Sequence, residues 1–287
     1  MKIALLISGG LGLQVLEHLL TSDEKISCVL TNKSSTEIID RCKAAQIPTF
    51  IGNPRNGKGA EFAKQFGFDL ILSVNYLFII EKDLFSLATV SCNIHGSLLP
   101  KYRGRTPHVW AIINNEQKAG ITAHLIDEGC DTGDIIRQVE VSIAPNDTGA
   151  DILRKYNLEY LPLVDSILAD FKKGTLEFTA QDQSKATFFG KRTPEDGEID
   201  WGWQKERIRN WVRAQADPYP GAFTHLEETK IIIDEIVYSD LGFKQSQPNG
   251  LIVSSSPLMV KTPNGVIELK KVRNINRSLE KGQILAQ

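Results

Sequence analysis

The feature that most constrains the fold is a regular alternation of short apolar runs and helix-like segments near the start of the chain. Four runs have the length and apolar character of buried strands: KIALLIS, KISCVLT, DLILSVNY and TVSCNIH, at residues 2–8, 25–31, 69–76 and 89–95. The segments between them, such as LGLQVLEHLL and STEIIDRCKAAQ, have the spacing of amphipathic helices. This alternation predicts an α/β fold with a Rossmann-like, mostly parallel sheet, and ligands are expected at the carboxyl ends of its strands.

The same pattern continues beyond residue 100. A helix is predicted at residues 106–116, strands at 120–129 and 134–143, and a long helix from about residue 148 to residue 173. The α/β domain is therefore expected to span residues 1–180.

The last third of the chain has a different pattern. Residues 181–199 are polar, with Gly and Pro but no sustained period, which is typical of a linker. Residues 200–287 begin with one helical segment and continue with short alternating runs such as KIIIDEIVYS and GVIELKKV. These runs predict a second, small β-rich domain of the OB-like barrel or sandwich type.

The charge balance argues against a nucleic-acid partner, since 33 Lys and Arg stand against 35 Asp and Glu. No apolar stretch approaches the roughly 18 residues of a membrane span, so a cytoplasmic location without a membrane partner is expected. The cysteines are Cys28, Cys42, Cys92 and Cys130. They show no CxxC spacing, which favours reduced thiols over a disulfide framework, and no metal site is predicted.

The glycine-rich segment ISGGLGLQVL follows a predicted strand and opens a helix, as phosphate-binding loops do. It lacks the GxGxxG register, and TNK stands at the end of the second strand, where a dinucleotide-binding fold places an acidic residue. A tight strand-to-helix turn is therefore the favoured interpretation.

Asn93 and His95 stand two residues apart at the predicted end of the fourth apolar run. Because side chains alternate along a strand, both point to the same face and can converge on one atom. An amide can donate a hydrogen bond to an oxyanion that forms on an attacked carbonyl, and an imidazole can accept a proton from the attacking nucleophile. The pair therefore predicts chemistry at a carbonyl carbon.

The segment IDEGCDTGD, at the end of another predicted strand, offers a carboxylate to complete this set. Its acidic residues are Asp127, Glu128, Asp131 and Asp134. Any one of them could hold the His95 tautomer and stabilise its charged form, and spacing alone does not select among them. His108 and His124 are interpreted as structural residues.

Together, NIHGSLLPKYRGRTP and the later DEGCDTGDI resemble the folate-dependent formyltransferase family, which includes methionyl-tRNA, glycinamide ribonucleotide and nucleotide-sugar formyltransferases. GKRTPEDGEIDW and VRAQADPYPGAF are similar to the C-terminal domain of that family, so the resemblance covers nearly the whole chain. It implies that residues 1–180 are the catalytic domain and that 10-formyltetrahydrofolate is the co-substrate.

The resemblance also implies roles for matching residues. Asn93 would stabilise the oxygen of the tetrahedral intermediate, His95 would assist deprotonation of the substrate amine, and Asp131 would orient and charge-balance His95. The residues expected to bind the folate are Tyr76, Phe78, Ile80, Ser97, Leu98, Leu99, Pro100, Ile126, Asp127 and Gly129. Those expected to bind the substrate are Tyr102, against a ring, and Arg103 and Arg105, against a phosphate or carboxylate.

The acceptor amine is the open question. A glycinamide ribonucleotide enzyme resembles only the N-terminal part of the chain and is disfavoured. A methionyl-tRNA enzyme must hold a polyanion, yet residues 200–287 contain 12 Lys or Arg and 10 Asp or Glu, and the basic insertion of the tRNA enzymes is absent. HGSLLPKYRGRTPHVWAI looks most like the nucleotide-sugar enzymes. A dTDP-, UDP- or GDP-linked amino-deoxy sugar, formylated for surface polysaccharide (O-antigen) synthesis, is therefore expected, with methionyl-tRNA as the alternative.

A non-enzymatic alternative is a binding module built on the β-rich region, with an inactive N-terminal site. The complete set of Asn93, His95 and Asp131 argues against it. A homodimer through the apolar strands of the C-terminal region is a further expectation from the family.

Overall fold

The computed structural model describes residues 1–275 and 278–286, so Asn276, Arg277 and Gln287 of the predicted C-terminal domain lie outside the described residues. The chain divides into two compact units. The first contains Met1–Gly104, Gly120–Val141 and Lys155–Phe188, and the second contains Arg105–Ala119, Ser142–Arg154 and the chain from Phe189 onward. Each unit is built from three separate stretches, whereas the sequence predicts one break, at residues 181–199. That boundary stays a prediction.

Residues 2–173 contain most of the helices and strands. In order they are β1 (Lys2–Ile7), α1 (Gly9–Leu20), β2 (Lys25–Thr31), α2 (Thr36–Ala44), β3 (Thr49–Ile51), α3 (Lys58–Ala63), β4 (Leu70–Val74), α4 (Lys82–Phe85), β5 (Val90–His95), β6 (Arg103–Gly104), α5 (Pro107–Ile113), β7 (Lys118–Leu125), β8 (Ile135–Ser142) and α6 (Gly149–Lys173). A 7-stranded sheet has the order β3-β2-β1-β4-β5-β7-β8. The pairs among β1 to β5 are parallel and β7 runs antiparallel to β5, so the predicted mostly parallel sheet is confirmed.

The centre of this sheet is buried because its strands are almost entirely apolar, with Ser73 as the one polar residue of β4. Every residue of β4 and every residue of β1 after Lys2 is buried, as expected for parallel strands covered on both faces. Ser8 alone separates β1 from α1, which confirms the predicted tight turn. Gly12 is required in α1, since a Cβ there would lie 2.9 Å from the Cβ of Ile7.

The second unit contains a small antiparallel sheet. After α6 the chain contains 3-10 turns at Gln183–Lys185 and Pro194–Gly197 and the short strand β9 (Phe188–Phe189). The last α-helix and strands are α7 (Lys205–Ala214), β10 (Ala222–Leu226), β11 (Thr229–Ser239), β12 (Ile252–Ser255), β13 (Leu258–Thr262) and β14 (Gly265–Arg273). The last five form one sheet in the order β10-β11-β14-β13-β12. Its core includes Ile208 and Trp211 of α7 packed with apolar residues of the strands.

The two edges of this sheet are joined by the segment at residues 282–286. The N–H of Leu285 donates to the carbonyl of Gly250, beside β12, and the N–H of Ala286 donates to the carbonyl of His225, in β10. The sheet is therefore curled, in agreement with the predicted barrel-like domain.

Candidate active site

Asn93 and His95 lie at the carboxyl end of β5, and β7 runs beside them. The register of the pair places Asn93 opposite His124 and His95 opposite Thr122. Because opposed residues of antiparallel strands are close neighbours, His124 joins the site, and its Nε2 lies 3.2 Å from Asn93 Nδ2. His124 was not predicted at the site, since nothing in the sequence fixes the register of β5 against β7.

The imidazole of His95 is buried and has a partner on each side. Its Nε2 lies 2.8 Å from the carbonyl oxygen of Tyr102, and since a carbonyl only accepts, Nε2 carries a hydrogen. Its Nδ1 lies 3.6 Å from Asp131 Oδ1. Nδ1 is therefore the nitrogen that can take up a proton, and a carboxylate is positioned to stabilise the resulting charge.

The charge states of His95 and Asp131 follow from their surroundings. Burial lowers the pKa of His95, and although Asp131 and the Tyr102 carbonyl raise it, the net pKa lies below the ordinary 6.5. Burial raises the pKa of Asp131, but the two nearby imidazoles and the Gly104 N–H lower it by more, so this pKa lies well below its usual range. At neutral pH the site thus holds a neutral base beside an ionised carboxylate.

Asp131 is the carboxylate of the acidic loop that the structure brings to His95. It has a left-handed backbone, with φ of 55°, and its Oδ2 accepts the N–H of Gly104 at 2.9 Å. Asp127 instead accepts bonds within the loop, from the Gly129 N–H at 3.0 Å and the Thr132 hydroxyl at 2.6 Å.

Two further residues hold this loop in place. A Cβ on Gly133 would lie 2.0 Å from the carbonyl oxygen of Leu125, so only glycine lets the loop close against the end of β7. Gln181, predicted to lie in a linker, is buried, and its Nε2 donates to the carbonyls of Asp131 at 2.9 Å and Gly133 at 2.7 Å. A glutamine in a polar segment gives no sequence signal for such a role.

The predicted folate segment after β4 divides its side chains between the core and solvent. Tyr76 and Ile80 pack against the core, and the Phe78 ring meets the Tyr76 ring edge-on at 5.5 Å between centroids. Leu77 and Ile79 are 42% and 67% exposed. The apolar side chains that face outward in this segment are therefore Leu77 and Ile79, which are not among the residues predicted to bind the folate.

Residues 97–100 form the connection that follows β5. The hydroxyl of Ser97 donates to the Lys101 carbonyl at 2.7 Å, and the N–H of Leu99 donates to Thr122 Oγ1 at 3.2 Å. Ser97 and Leu99 are buried, whereas Leu98 and Pro100 are partly exposed. Their contact with folate stays a prediction.

The predicted folate contacts of Ile126 and Gly129, in the acidic loop, also stay predictions. Ile126 packs against the core, and its N–H donates to the carbonyl of Ser91 at 2.8 Å. Gly129 is exposed.

The predicted substrate residues lie in different environments. Tyr102 is buried with φ of 60°, and Arg105 is exposed. Arg103 is only 1% exposed, and its guanidinium donates to the side-chain oxygens of Gln181, at 2.6 Å, and Gln183, at 2.9 Å. This burial favours a bracing role for Arg103, while the substrate contacts of all three stay predictions.

Among the described residues, no group of three or more His, Cys, Asp or Glu side chains is arranged to hold a metal ion. In the same part of the chain, every helix is too short or too polar to cross a membrane.

Comparison with known proteins gives the class that this fold and site define. A family model described as formyl transferase matches residues 1–160, and one described as formyl transferase, C-terminal domain, matches residues 191–286. The chain belongs to the formyl transferase family, which confirms the family predicted from the sequence motifs.

Solved structures of low sequence identity share the fold. An N-formyltransferase from Helicobacter canadensis, in complex with folinic acid and dTDP-3-aminofucose, has a TM-score of 0.70 at 22% identity, over 93% of this chain and 97% of that chain. WlaRD, a sugar 3N-formyl transferase crystallised in the presence of dTDP and 5-N-formyl-THF, has a TM-score of 0.67 at 20% identity, over 94% and 98%. HypX from Aquifex aeolicus, in complex with tetrahydrofolic acid, has a TM-score of 0.62 at 18% identity, over 95% of this chain and 44% of its own. The chain therefore spans less than half the length of HypX.

Proposed function

We propose that this protein transfers a formyl group from 10-formyltetrahydrofolate to the primary amine of a nucleotide-linked amino sugar. The observation that carries the proposal is the grouping of Asn93, His95 and Asp131 at the carboxyl end of β5. An amide donor, a neutral imidazole and an ionised carboxylate meet there within a few ångströms.

The folate supplies the formyl carbon, and the residues of the chain act on the amine and on the formyl oxygen. As the amine nitrogen attacks, an N–H of Asn93 donates to the formyl oxygen, which gains negative charge. His95 Nδ1 takes the proton that the amine loses, and Asp131 stabilises the imidazolium. The proton then passes to the departing folate nitrogen, which leaves His95 neutral again.

The surface beside this set suits an aromatic co-substrate. Leu77 and Ile79 follow β4, which pairs with β5, so they lie at the same edge of the sheet as Asn93. Exposed apolar side chains beside a few polar groups are typical of a small-molecule site. Three solved structures of this fold contain a folate.

A nucleotide-linked amino sugar is proposed as acceptor for two reasons. The near balance of charge in the C-terminal region provides little attraction for tRNA. In addition, the Helicobacter canadensis enzyme was solved with dTDP-3-aminofucose, and WlaRD was solved with dTDP. Cytoplasmic location, a homodimer and a place in surface polysaccharide synthesis belong to the same proposal.

A formyl-transfer assay tests the acceptor. The protein is incubated with 10-formyltetrahydrofolate and a panel of dTDP-, UDP- and GDP-linked amino sugars, together with methionyl-tRNA. Turnover of a sugar nucleotide supports the proposal. Turnover of the charged tRNA alone shows that the acceptor was misassigned, and no turnover with any acceptor favours a binding module.

A further inference from the structure

His124 has one ring nitrogen placed between two groups that make opposite demands on it. Its Nδ1 lies 2.7 Å from the Leu125 carbonyl oxygen, so Nδ1 carries a hydrogen, and Nε2 of the neutral ring is an acceptor. Asn93 Nδ2 lies 3.2 Å from Nε2, within hydrogen-bond reach. Asp131 Oδ1 lies 3.6 Å from it, which is too long for a hydrogen bond. The amide is therefore the partner of Nε2, and it presents its NH2 group to the ring.

The orientation of this amide decides what Asn93 can do. An amide NH2 has two hydrogens, whereas the amide oxygen only accepts. With one hydrogen on His124, the second remains for a substrate oxygen. A reversed amide would direct its oxygen toward the ring and lose the bond to Nε2.

His124 is suited to fix this orientation. It is 3% exposed, its ring is bound to the backbone at Leu125, and the β5–β7 register sets it directly opposite Asn93. Few torsions remain free between the ring and the amide.

We propose that His124 is a positioning residue that accepts one N–H of Asn93 and thereby directs the other N–H at the formyl oxygen. This inference rests on the proposed formyl transfer and adds a fourth side chain to its machinery. His124 acts through Asn93 and need not touch the substrate.

The effect of losing His124 on kcat and KM follows from the stage of the reaction at which negative charge develops on the formyl oxygen. Because the formyl oxygen becomes negative only in the transition state, loss of positioning lowers kcat and leaves both KM values near those of the wild type. His124→Phe keeps a ring at this position and removes both nitrogens. We expect kcat to fall about 10- to 100-fold, by analogy with the loss seen when a residue that orients a metal ligand is removed.

A matched pair of amide substitutions separates positioning from polarity. His124→Gln can place an amide oxygen close to the position of Nε2, so we expect it to retain most of the activity. The side chain of His124→Asn is too short to reach Asn93, and we expect it to behave like His124→Phe. As a control, His18→Phe makes the same change at a partly exposed residue of α1 that pairs with Asp165, and it should leave the kinetics unchanged.

A double-mutant cycle tests whether His124 acts through Asn93. In an Asn93→Ala background, adding His124→Phe should reduce kcat little further, because the group being positioned is already gone. A full additional loss would mean that His124 acts by another route.

NMR of the Asn93 side-chain amide tests directly whether His124 restrains this amide, and the measurement does not depend on turnover. In the wild type we expect restrained amide protons that exchange slowly with solvent, and in folded His124→Phe and His124→Asn we expect the behaviour of a free amide. Unchanged Asn93 signals in both variants would overturn the positioning role. If the wild type shows no formyl transfer but the Asn93 amide signals change in the His124 variants as expected, the proposed function is overturned and the positioning role is not.

Discussion

The carboxylate of Asp131 has an imidazole on two sides, since its Oδ1 lies 3.6 Å from both His95 Nδ1 and His124 Nε2. His95 and Asp131 influence each other in opposite directions: the carboxylate raises the pKa of His95, and the imidazole lowers the pKa of Asp131. Burial works against the charged form of each. The result is a base that is neutral and a carboxylate that is ionised in the same pH range.

The pH dependence of activity is the first prediction. The acid side of kcat/KM reports protonation of the free enzyme and of the free amine substrate. Since burial holds the pKa of His95 below 6.5, the limb that belongs to the enzyme should lie below pH 6.5, separate from the limb set by the amine. In Asp131→Asn the group that raises this pKa is lost, so the enzyme's limb should move to still lower pH while kcat falls. Rate profiles of the wild type and Asp131→Asn check this, and a limb that moves upward in the variant would contradict it.

At the scale of residues, the sequence predicts side-chain positions that follow from spacing along a single strand. Asn93 and His95 are two residues apart, so their shared face follows from strand geometry. Asp131 was selected only by resemblance to the family, because several carboxylates lie in one loop. His124 could not be predicted from spacing, since its place opposite Asn93 depends on a register between strands that are far apart in the chain.

At the scale of elements, the loop after β7 is the part whose shape depends on single residues. Asp131 has a left-handed backbone, and Gly133 approaches β7 more closely than any side chain permits. The loop thus has little freedom to move Asp131 relative to His95.

Gly133→Ala tests this dependence. A methyl group 2.0 Å from the Leu125 carbonyl forces the loop away from β7, so we expect a large loss of kcat and a lower melting temperature. Gly242→Ala is the control, because a Cβ at Gly242 meets no atom within 4 Å. Normal activity and melting in Gly133→Ala would show that the loop tolerates displacement.

Gln181→Leu provides a second test of the loop. It removes the donor to two backbone carbonyls and the acceptor for buried Arg103. A buried polar group left without a partner costs about 1–3 kcal/mol, so the free energy of unfolding should fall by at least that amount, with a loss of activity. Chemical denaturation measures this loss. As a control, Gln183 is exposed and accepts a bond from one nitrogen of Arg103, Nη1, so Gln183→Leu should lower the free energy of unfolding by less. Equal losses would argue against a special role for Gln181.

The elements themselves were predictable in proportion to their length and apolar character. The four long apolar runs and the long helix α6 are present near their predicted positions. β3, with three residues, and β6 and β9, with two each, carry too few residues to show a period. β10 was missed because its five residues, AFTHL, directly follow a turn rich in Pro and Gly.

At the scale of the whole molecule, fold and family do not name the acceptor. The neighbours of similar fold include sugar N-formyltransferases and HypX, at 17–22% identity. One fold hosts different functions, and the acceptor depends on contacts that alternation of strands and helices does not encode.

Stability against acid belongs to this scale too. Burial lowers the pKa of His108 to about 4, and its Nε2 lies 2.9 Å from Tyr219 Oη. A histidine in the unfolded chain titrates near pH 6.5, so between that pH and about 4 the unfolded state binds more protons. The free energy of unfolding should therefore fall as the pH is lowered through this window.

His108→Phe removes this contribution, and its unfolding free energy should depend less steeply on pH than that of the wild type. Denaturant titrations at neutral and acidic pH make the comparison, with His18→Phe as control. An identical pH dependence in wild type and His108→Phe would show that other groups cause the acid sensitivity.

The most direct test of the central claim is formyl transfer to an amino-sugar nucleotide by wild type, His95→Ala and the control His18→Ala, measured by mass spectrometry of the product. The wild type and His18→Ala should form the N-formyl product at similar rates, while His95→Ala, folded as shown by its melting temperature, should form almost none. Near-normal turnover in His95→Ala would contradict the site proposed here.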